Sequence, residues 1–376
     1  MDLRKTNTKK YKASTQEDLG VKAVKSIEVK LPNNSYELLI HKGLIGNIGS
    51  QVLKVYKGDK IAIVTDENVD KFYGEIVEQS LQSQGFNTLK VVLKPGEKTK
   101  SIEQVMGLYD SLLGFGINRG NLIIALGGGV IGDLTGFCAS TLLRGIPYIQ
   151  IPTSLLAQID SSIGGKVAID LPRGKNLVGS FYHPKAVYID PEVLGTLEKR
   201  FLSDGLGEVI KYALIKDRAL FEELKEIHGY EELLKHIEDI IYKCCCIKKH
   251  VVEADERDTG ERMILNFGHT IGHGIEKLQN YEGLSHGEAV SVGMYYITLN
   301  SEKEGLTAEG TAKDIKELLK KFNLPYEVHD IRKEDLIGAL AMDKKNIGNT
   351  MNLILLKDIG ESFIHKVTRD EIEKFI

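Results

Sequence analysis

Two histidines stand four residues apart in Gly268-His269-Thr270-Ile271-Gly272-His273-Gly274-Ile275-Glu276, a stretch with a helical pattern. Residues i and i+4 share a helix face, so both imidazoles are offered to one site. His286-Gly287-Glu288 adds a third imidazole, and Glu208-Val209-Ile210-Lys211 sets an acid and a lysine on one face of another helix. Two histidines and one carboxylate make a catalytic zinc set that leaves a position open for substrate. An ion held this way grips a substrate hydroxyl and lowers its pKa. Spacing alone selects His269 and His273 as ligands, with His286 or Glu208 third. Thr270 occupies the place of the glutamate in H-E-x-x-H, so the zinc-peptidase signature is absent. A lone histidine is usually structural. Three within 18 residues, two on one face, are read as a metal or catalytic site.

A second chemistry is written in glycine. Leu126-Gly127-Gly128-Gly129-Val130-Ile131-Gly132-Asp133 follows a short apolar run. Glycine permits positive φ and close approach of a ligand, and a strand-to-helix turn points amide N–H groups and a positive helix end at an anion. A phosphate or pyrophosphate suits it. The run is not G-x-G-x-x-G and follows the third strand, which disfavours an ordinary Rossmann domain. Asp66 ends the first strand of that series, where acids bind ribose hydroxyls, although by itself it reads as a turn residue. Downstream, Asp160 and Lys166 flank Gly164-Gly165, and Gly174-Lys175-Asn176 follows. Arg144, Lys166 and Lys175 share a Gly-rich segment with few acids, enough positive charge to hold a phosphorylated substrate.

These residues need elements to carry them. Val24 to Lys30 and Tyr36 to Ile40 alternate around Pro32-Asn33-Asn34, which predicts a hairpin. Runs at 60–65, 88–93 and 121–126 predict buried strands, with helices at 70–84 and 102–113. Buried strands alternating with helices predict βαβ units and a parallel sheet. From residue 203 the pattern is mainly helical, over 203–216, 219–227, 230–254, 261–278, 286–304, 308–322 and 333–342. A β-like stretch at 351–356 precedes an expected closing amphipathic helix. The boundaries predicted are a basic arm or leader at 1–25, an α/β domain at 26–198 and a helical metal and substrate domain at 199–376.

The chain has 376 residues, 42% hydrophobic and 27% charged, with net charge −4. That is globular composition, long enough for two domains. A sequence-independent nucleic-acid binder is normally basic, so nucleic acid is not an expected partner. No apolar run reaches the ~18 residues of a membrane span. Cys138 stands alone and Cys244, Cys245 and Cys246 are adjacent, which fits reduced thiols and a cytoplasmic protein.

Several runs resemble a known family: GGGVIGDLTGF (127–137), LRGIPYIQIPTSLLAQIDSSIGGKVAID (143–170), GKNLVGSFYHPKAVYID (174–190), GEVIKYALI (207–215), ADERDTGERMILNFGHTIGHGIE (254–276), HGEAVSVGM (286–294) and MDKKN (342–346). In this order they closely resemble the 3-dehydroquinate synthase family of the sugar-phosphate cyclase superfamily. The resemblance runs from about residue 26 to the end. It implies an α/β NAD-binding half, a helical metal-binding half and a site in the cleft between them. It implies conversion of 3-deoxy-D-arabino-heptulosonate 7-phosphate (DAHP) to 3-dehydroquinate and phosphate, a step of the shikimate pathway towards aromatic amino acids. The steps are transient oxidation by NAD, elimination of phosphate, re-reduction and aldol closure. The alternative is a sister cyclase, such as an aminodehydroquinate or epi-valiolone synthase.

The resemblance also assigns residues. Glu208, His269 and His286 become the ligands of Zn²⁺ or Co²⁺, and His273 moves to the substrate side. Asp160, Lys166, Lys211, Arg262 and His273 become catalytic. Arg144, Asn176, Lys248, Asn266 and one or both of Lys344 and Lys345 become substrate contacts. Arg144 is supplied by a partner subunit, which implies a homodimer. NAD is assigned to Asp66, Asn68, Glu97, Lys98, Gly129, Val130, Ile131, Gly132, Asp133, Thr153, Ser154, Lys166, Lys175 and Thr196. Family members often carry alanine at positions 204, 207 and 274. Glycine inside a helix costs about 1 kcal/mol relative to alanine, so looser helices are expected at Gly207 and Gly274.

Overall fold

Apolar–polar alternation gives the chain its first structure, the antiparallel hairpin of β1 (Lys25–Val29) and β2 (Tyr36–Ile40). The computed structural model describes residues 24–343, 350–368 and 370–376. Continuous β-branched runs then build parallel strands: β3 (Lys60–Asp66), β4 (Asn87–Leu93), β5 (Leu122–Gly127), β6 (Tyr148–Pro152) and β9 (Ala186–Ile189). A separate antiparallel hairpin, β7 (Lys166–Leu171) with β8 (Gly174–Phe181), interrupts the series. The large sheet has the order β1-β2-β9-β6-β5-β3-β4. Beyond the antiparallel β1–β2 pair its neighbours run parallel.

From β3 the chain adds β4 on one side, then returns to place β5 on the other. Such a reversal opens a crevice at the carboxyl ends of the strands, where ligands bind in open α/β sheets. Asp66 ends β3 and Gly127 ends β5, so both stand at that crevice. Helices α1 (Ile48–Val55) and α2 (Glu75–Gln82) pack with Ile61, Ile63, Ile124 and Ile149 in one apolar cluster. Helices α3 (Ile102–Gly114) and α4 (Gly129–Thr141) pack with Val64, Ile123 and Ala125 in another. Burying such side chains stabilises by about 1.5–3 kcal/mol each.

The second half is mainly helical: α5 (Lys199–Lys216), α6 (Arg218–Glu226), α7 (Gly229–Ala254), α8 (His269–Leu278), α9 (His286–Lys303), α10 (Thr311–Lys321) and α11 (Lys333–Asp343). Its core includes Ile27, Val29, Leu38, Ile40, Val187 and Ile189 from the sheet. The two halves therefore meet through a shared apolar layer.

Four readings of the sequence change. The run at 88–93 is β4, an edge strand whose residues are half-buried or exposed. Strands β6 and β9 lie within segments that read as polar motif. The helix expected at 261–278 is a 3-10 turn (Glu261–Asn266) and α8, broken at Gly268 with φ 77°. The expected closing helix is replaced by a hairpin, β10 (Thr350–Asp358) with β11 (Glu361–Thr368), and a short 3-10 turn (Ile372–Phe375). Gly360, at φ 86°, supplies the turn between those strands.

Candidate functional site

Three helices deliver the metal-type side chains to one point. Glu208 comes from the middle of α5 and is 1% exposed. His269 opens α8 and His286 opens α9. Glu208 Oε1 lies 3.6 Å from His269 Nε2 and 3.7 Å from His286 Nε2. These ligand-type atoms all fall within 4.8 Å of one another. Glu208 also pairs with Lys211, one turn further along α5, but its Oε1 has no hydrogen-bond donor. A buried carboxylate oxygen without a donor is costly, and a cation between it and two imidazole nitrogens would remove that cost. The set therefore fits a divalent ion of the zinc or cobalt type.

Electrostatics agree with that fit. Burial, with the neighbouring Lys211, holds His269 well below the usual histidine range. Its Nδ1 lies 3.1 Å from the Phe267 carbonyl oxygen, leaving Nε2 free to face Glu208. Burial also acts to lower His286, but a hydrogen bond to Glu276 and the carboxylate of Glu208 outweigh it, raising His286 to about 9. The negative charge of Glu208 beside His286 is what a divalent ion would neutralise. His273 is exposed on the same face of α8, its ring centroid 5.4 Å from His269 and 5.8 Å from His286. With Glu276 and His286 it forms a second group of ligand-type atoms.

Beside this point lies a chain of charges. Asp160, in a π-turn (Ala157–Ser161), accepts from Lys248 Nζ at 2.6 Å and from the Tyr212 hydroxyl. Burial pushes the Asp160 carboxyl up, but Lys248 and Lys211 with these hydrogen bonds hold it well below the usual carboxylate range. Lys248 is lowered by burial despite Asp160. Lys166 at the start of β7 is half-exposed and pairs with Asp258 of the opposite half. Arg262 is 2% exposed, and its terminal nitrogens donate to Gly164 O at 3.3 Å and Glu256 O at 2.7 Å. Much of its guanidinium is thus committed to backbone carbonyls, which ties the two halves together. Asn266 is exposed on the turn before α8.

At the crevice, the glycine turn is open for reasons of space rather than dihedral angle. Gly127, Gly128, Gly129 and Gly132 have no positive φ. A Cβ on Gly127 would lie 2.7 Å from Ile131 Cβ, and one on Gly132 would lie 2.7 Å from Gln150 Oε1. Those two glycines let α4 sit against the sheet. Side chains on Gly128 and Gly129 would instead enter the space beside Ser154 and Ser161, 3.4 Å and 3.2 Å away. That space, at the positive end of α4, fits a pyrophosphate. Val130 and Ile131 belong to the first turn of α4, where amides lack helical acceptors. Thr153 N donates to Gly127 O at 3.0 Å and fixes the turn. Asp66 Oδ1 accepts from Asn68 N at 2.9 Å and Val69 N at 3.1 Å, so one oxygen is used as a cap. Thr196 Oγ1 lies 2.8 Å from the Tyr73 hydroxyl. Lys175 Nζ lies 4.6 Å from the centre of the Tyr281 ring, across the cleft.

One lysine escaped the sequence reading. Lys98 is exposed, whereas Lys100 is buried beside Asp133 (2.7 Å), Glu97 (3.8 Å) and the Asn176 side-chain oxygen. Lys98 lies in a 3-10 turn (Glu97–Thr99) and Lys100 directly follows it, where the chain has turned inward. Asn176, at φ 56° in β8, is part of this cluster. Arg144 is exposed at the end of α4 opposite the glycine turn. A 13-residue helix such as α4 spans about 20 Å, so Arg144 is remote from this chain's own glycine turn. Lys344 and Lys345 lie outside the described residues.

The family models that match are the 3-dehydroquinate synthase N-terminal domain over residues 90–204 and the C-terminal domain over 205–346. The 3-dehydroquinate synthase of Clostridium acetobutylicum is 54% identical over 353 residues, which is 94% of this chain and 99% of that protein. Two solved structures share the fold. A 2-deoxy-scyllo-inosose synthase complexed with carbaglucose-6-phosphate, NAD+ and Co²⁺ is 25% identical, covers 93% of this chain and 98% of its own, and has a TM-score of 0.83. The 2-epi-5-epi-valiolone synthase of Streptomyces hygroscopicus, with NAD+ and Zn²⁺ bound, is 28% identical, covers 92% and 96%, and has a TM-score of 0.82.

Proposed function

The chain belongs to the 3-dehydroquinate synthase family, and from that premise we propose how its cleft turns DAHP into 3-dehydroquinate and phosphate. The net reaction is that of a carbon–oxygen lyase that eliminates phosphate. The observation that carries the assignment of the site is the buried Glu208 carboxylate, whose donor-free oxygen faces Nε2 of both His269 and His286. Glu208, His269 and His286 would hold Zn²⁺ or Co²⁺, which would supply Lewis-acid polarisation of a substrate hydroxyl. The residues at the crevice would hold NAD, which would supply reversible hydride acceptance with no net consumption.

The protein's own groups do the remaining work. Lys211 and Lys248, whose mutual repulsion the Asp160 carboxylate offsets, present positive charge to an anionic substrate from beside the metal ligands. Lys166 and an Arg144 supplied by a second copy of the chain neutralise the departing phosphate. Lys166 must exchange Asp258 for that phosphate, and because it is half-exposed the exchange is cheap. The substrate phosphate itself takes the proton, which fits the absence, among the described residues, of one obvious general base. His273, exposed beside the metal ligands, is proposed to face the substrate near the phosphate and the proton transfers. Asn176 and Asn266 contact substrate, and Arg262 shapes the floor of the cleft. Asp66, Asn68, Gly129 to Asp133, Thr153, Ser154, Lys175 and Thr196 line the NAD side, where Glu97 is accompanied by Lys100 rather than Lys98.

The proposed setting is a cytoplasmic homodimer with an α/β domain at 26–198 and a helical domain at 199–376. Among the described residues, no helix is long and apolar enough to cross a membrane. Metal removal tests the site. Chelator-stripped protein should lose DAHP turnover and regain it with Zn²⁺ or Co²⁺, whereas Glu208→Gln should bind NAD+ normally yet regain nothing. Full turnover by stripped protein, or by Glu208→Gln, would refute the assignment.

A further inference from the structure

We propose that Glu276 is the positioning residue for His286, fixing which ring nitrogen faces the metal point. The inference rests on Glu208, His269 and His286 being the ligand set, and it adds a residue outside that set.

Each of these side chains needs an anchor, because an imidazole or carboxylate that swings loses the geometry an ion requires. Glu208 is tethered by Lys211. His269 is tethered through Nδ1 by the Phe267 carbonyl. His286 is the most exposed of the three, with 32% of its side chain accessible, and it stands at the first position of α9. Its Nδ1 lies 3.4 Å from Glu276 Oε2. A carboxylate there accepts the Nδ1 proton and leaves the Nε2 lone pair directed at Glu208 Oε1. Outer carboxylate–histidine pairs of this kind orient ligands and raise their basicity.

Position argues for the same role. Glu276 follows His269 by seven residues on α8, so it lies on the face that carries His269 and His273. Its side chain is 8% exposed. Burying a carboxylate is unfavourable unless a partner receives it, and His286 is that partner. A second carboxylate holds the backbone of the residue that follows His286. Asp204, one turn before Glu208 on α5, accepts the amide of Gly287 at 2.6 Å. Glu276 sets the ring while Asp204 sets the start of α9, and both are tied to helices that bear a ligand.

The test compares Zn²⁺ affinity of the full chain, measured against a chromophoric chelator, for the parent, Glu276→Gln and Glu276→Asp. NAD+ binding and the metal-free melting temperature serve as controls of fold. Glu276→Gln should keep both controls and bind Zn²⁺ about 10–100-fold more weakly. The visible bands of its Co²⁺ complex should shift, and Glu276→Asp should recover part of the loss. Because Glu276→Gln works through His286, it should add little in a His286→Ala background. That comparison holds even where the single variant is less stable. Affinity for Zn²⁺ within about twofold of the parent, with unchanged Co²⁺ bands, would overturn the proposal. So would two ions per chain with one lost in Glu276→Gln, since Glu276 would then be a ligand beside His273. If Glu208→Gln and His269→Ala bind Zn²⁺ like the parent, the ligand set itself falls, a failure that Glu276→Gln alone would not produce.

Discussion

Asp133 sits in the first turns of α4 with its charge opposed by burial. Desolvation raises its pKa from 3.8 to about 6, although Lys100 at 2.7 Å acts to lower it. A carboxyl whose folded pKa exceeds its unfolded value binds its proton more tightly when folded. Its contribution to stability is full below about 4 and is lost as pH rises through about 6. The stability of the parent relative to Asp133→Asn should therefore fall between about pH 4 and pH 7, as read from denaturant midpoints in metal-free and NAD-free protein. A difference that stays flat or rises over that window would contradict the argument. At this scale the sequence was informative where one element carries the signal and poor where several converge. The i, i+4 rule finds His269 and His273 because both lie on α8. It cannot see that His286, at the head of α9, comes closer to Glu208. Lys100 was missed because its burial depends on a turn of three residues, and Glu276 because an acid on a helix ordinarily reads as solvated.

The glycines act at the level of elements. A Cβ on Gly293 of α9 would lie 2.0 Å from the carbonyl oxygen of Gly268, where the chain enters α8. That contact sets the approach of the two helices that carry His269 and His286. Alanine gains about 1 kcal/mol over glycine in a helix interior, but forcing two packed backbones apart costs about 1–3 kcal/mol. Gly293→Ala should thus lower the melting temperature and, by separating the histidines, weaken Zn²⁺ binding. An unchanged or raised melting temperature with parental Zn²⁺ affinity would show that the helices do not need the close approach. Gly207 and Gly274 carry the same lesson. Sequence suggested looser helices there, yet a Cβ on Gly207 would lie 2.5 Å from Gly287 O, and one on Gly274 would lie 2.7 Å from Leu336. The missing side chain is the space a neighbour fills. Most helices were legible from periodicity. Strands β6 and β9 were not, because runs of four or five residues inside a polar motif carry too little pattern.

Across the whole molecule, one seam joins the side that carries the glycine turn to the side that carries Glu208. Arg262 of the helical half holds Gly164 O, Lys166 pairs with Asp258, and His183 Nε2 lies 3.0 Å from Glu256 Oε1. These ties converge on the Gly164-Gly165 turn, so the crevice at β3 and β5 and the point at Glu208 are held in a common frame. The two-half plan was legible because buried strands and amphipathic helices fall in separate stretches of chain. The seam was not, because its partners are 73 to 98 residues apart and each reads as an ordinary loop residue. In the proposed reaction this frame lets NAD be used and regenerated within one turnover while phosphate is eliminated. The most direct test measures phosphate release from DAHP with Zn²⁺ and trace NAD+, following absorbance at the NADH wavelength throughout. Many phosphates per NAD, no lasting NADH and 3-dehydroquinate as product are expected. NADH accumulating in step with turnover, or no phosphate from metal-loaded protein, would contradict it.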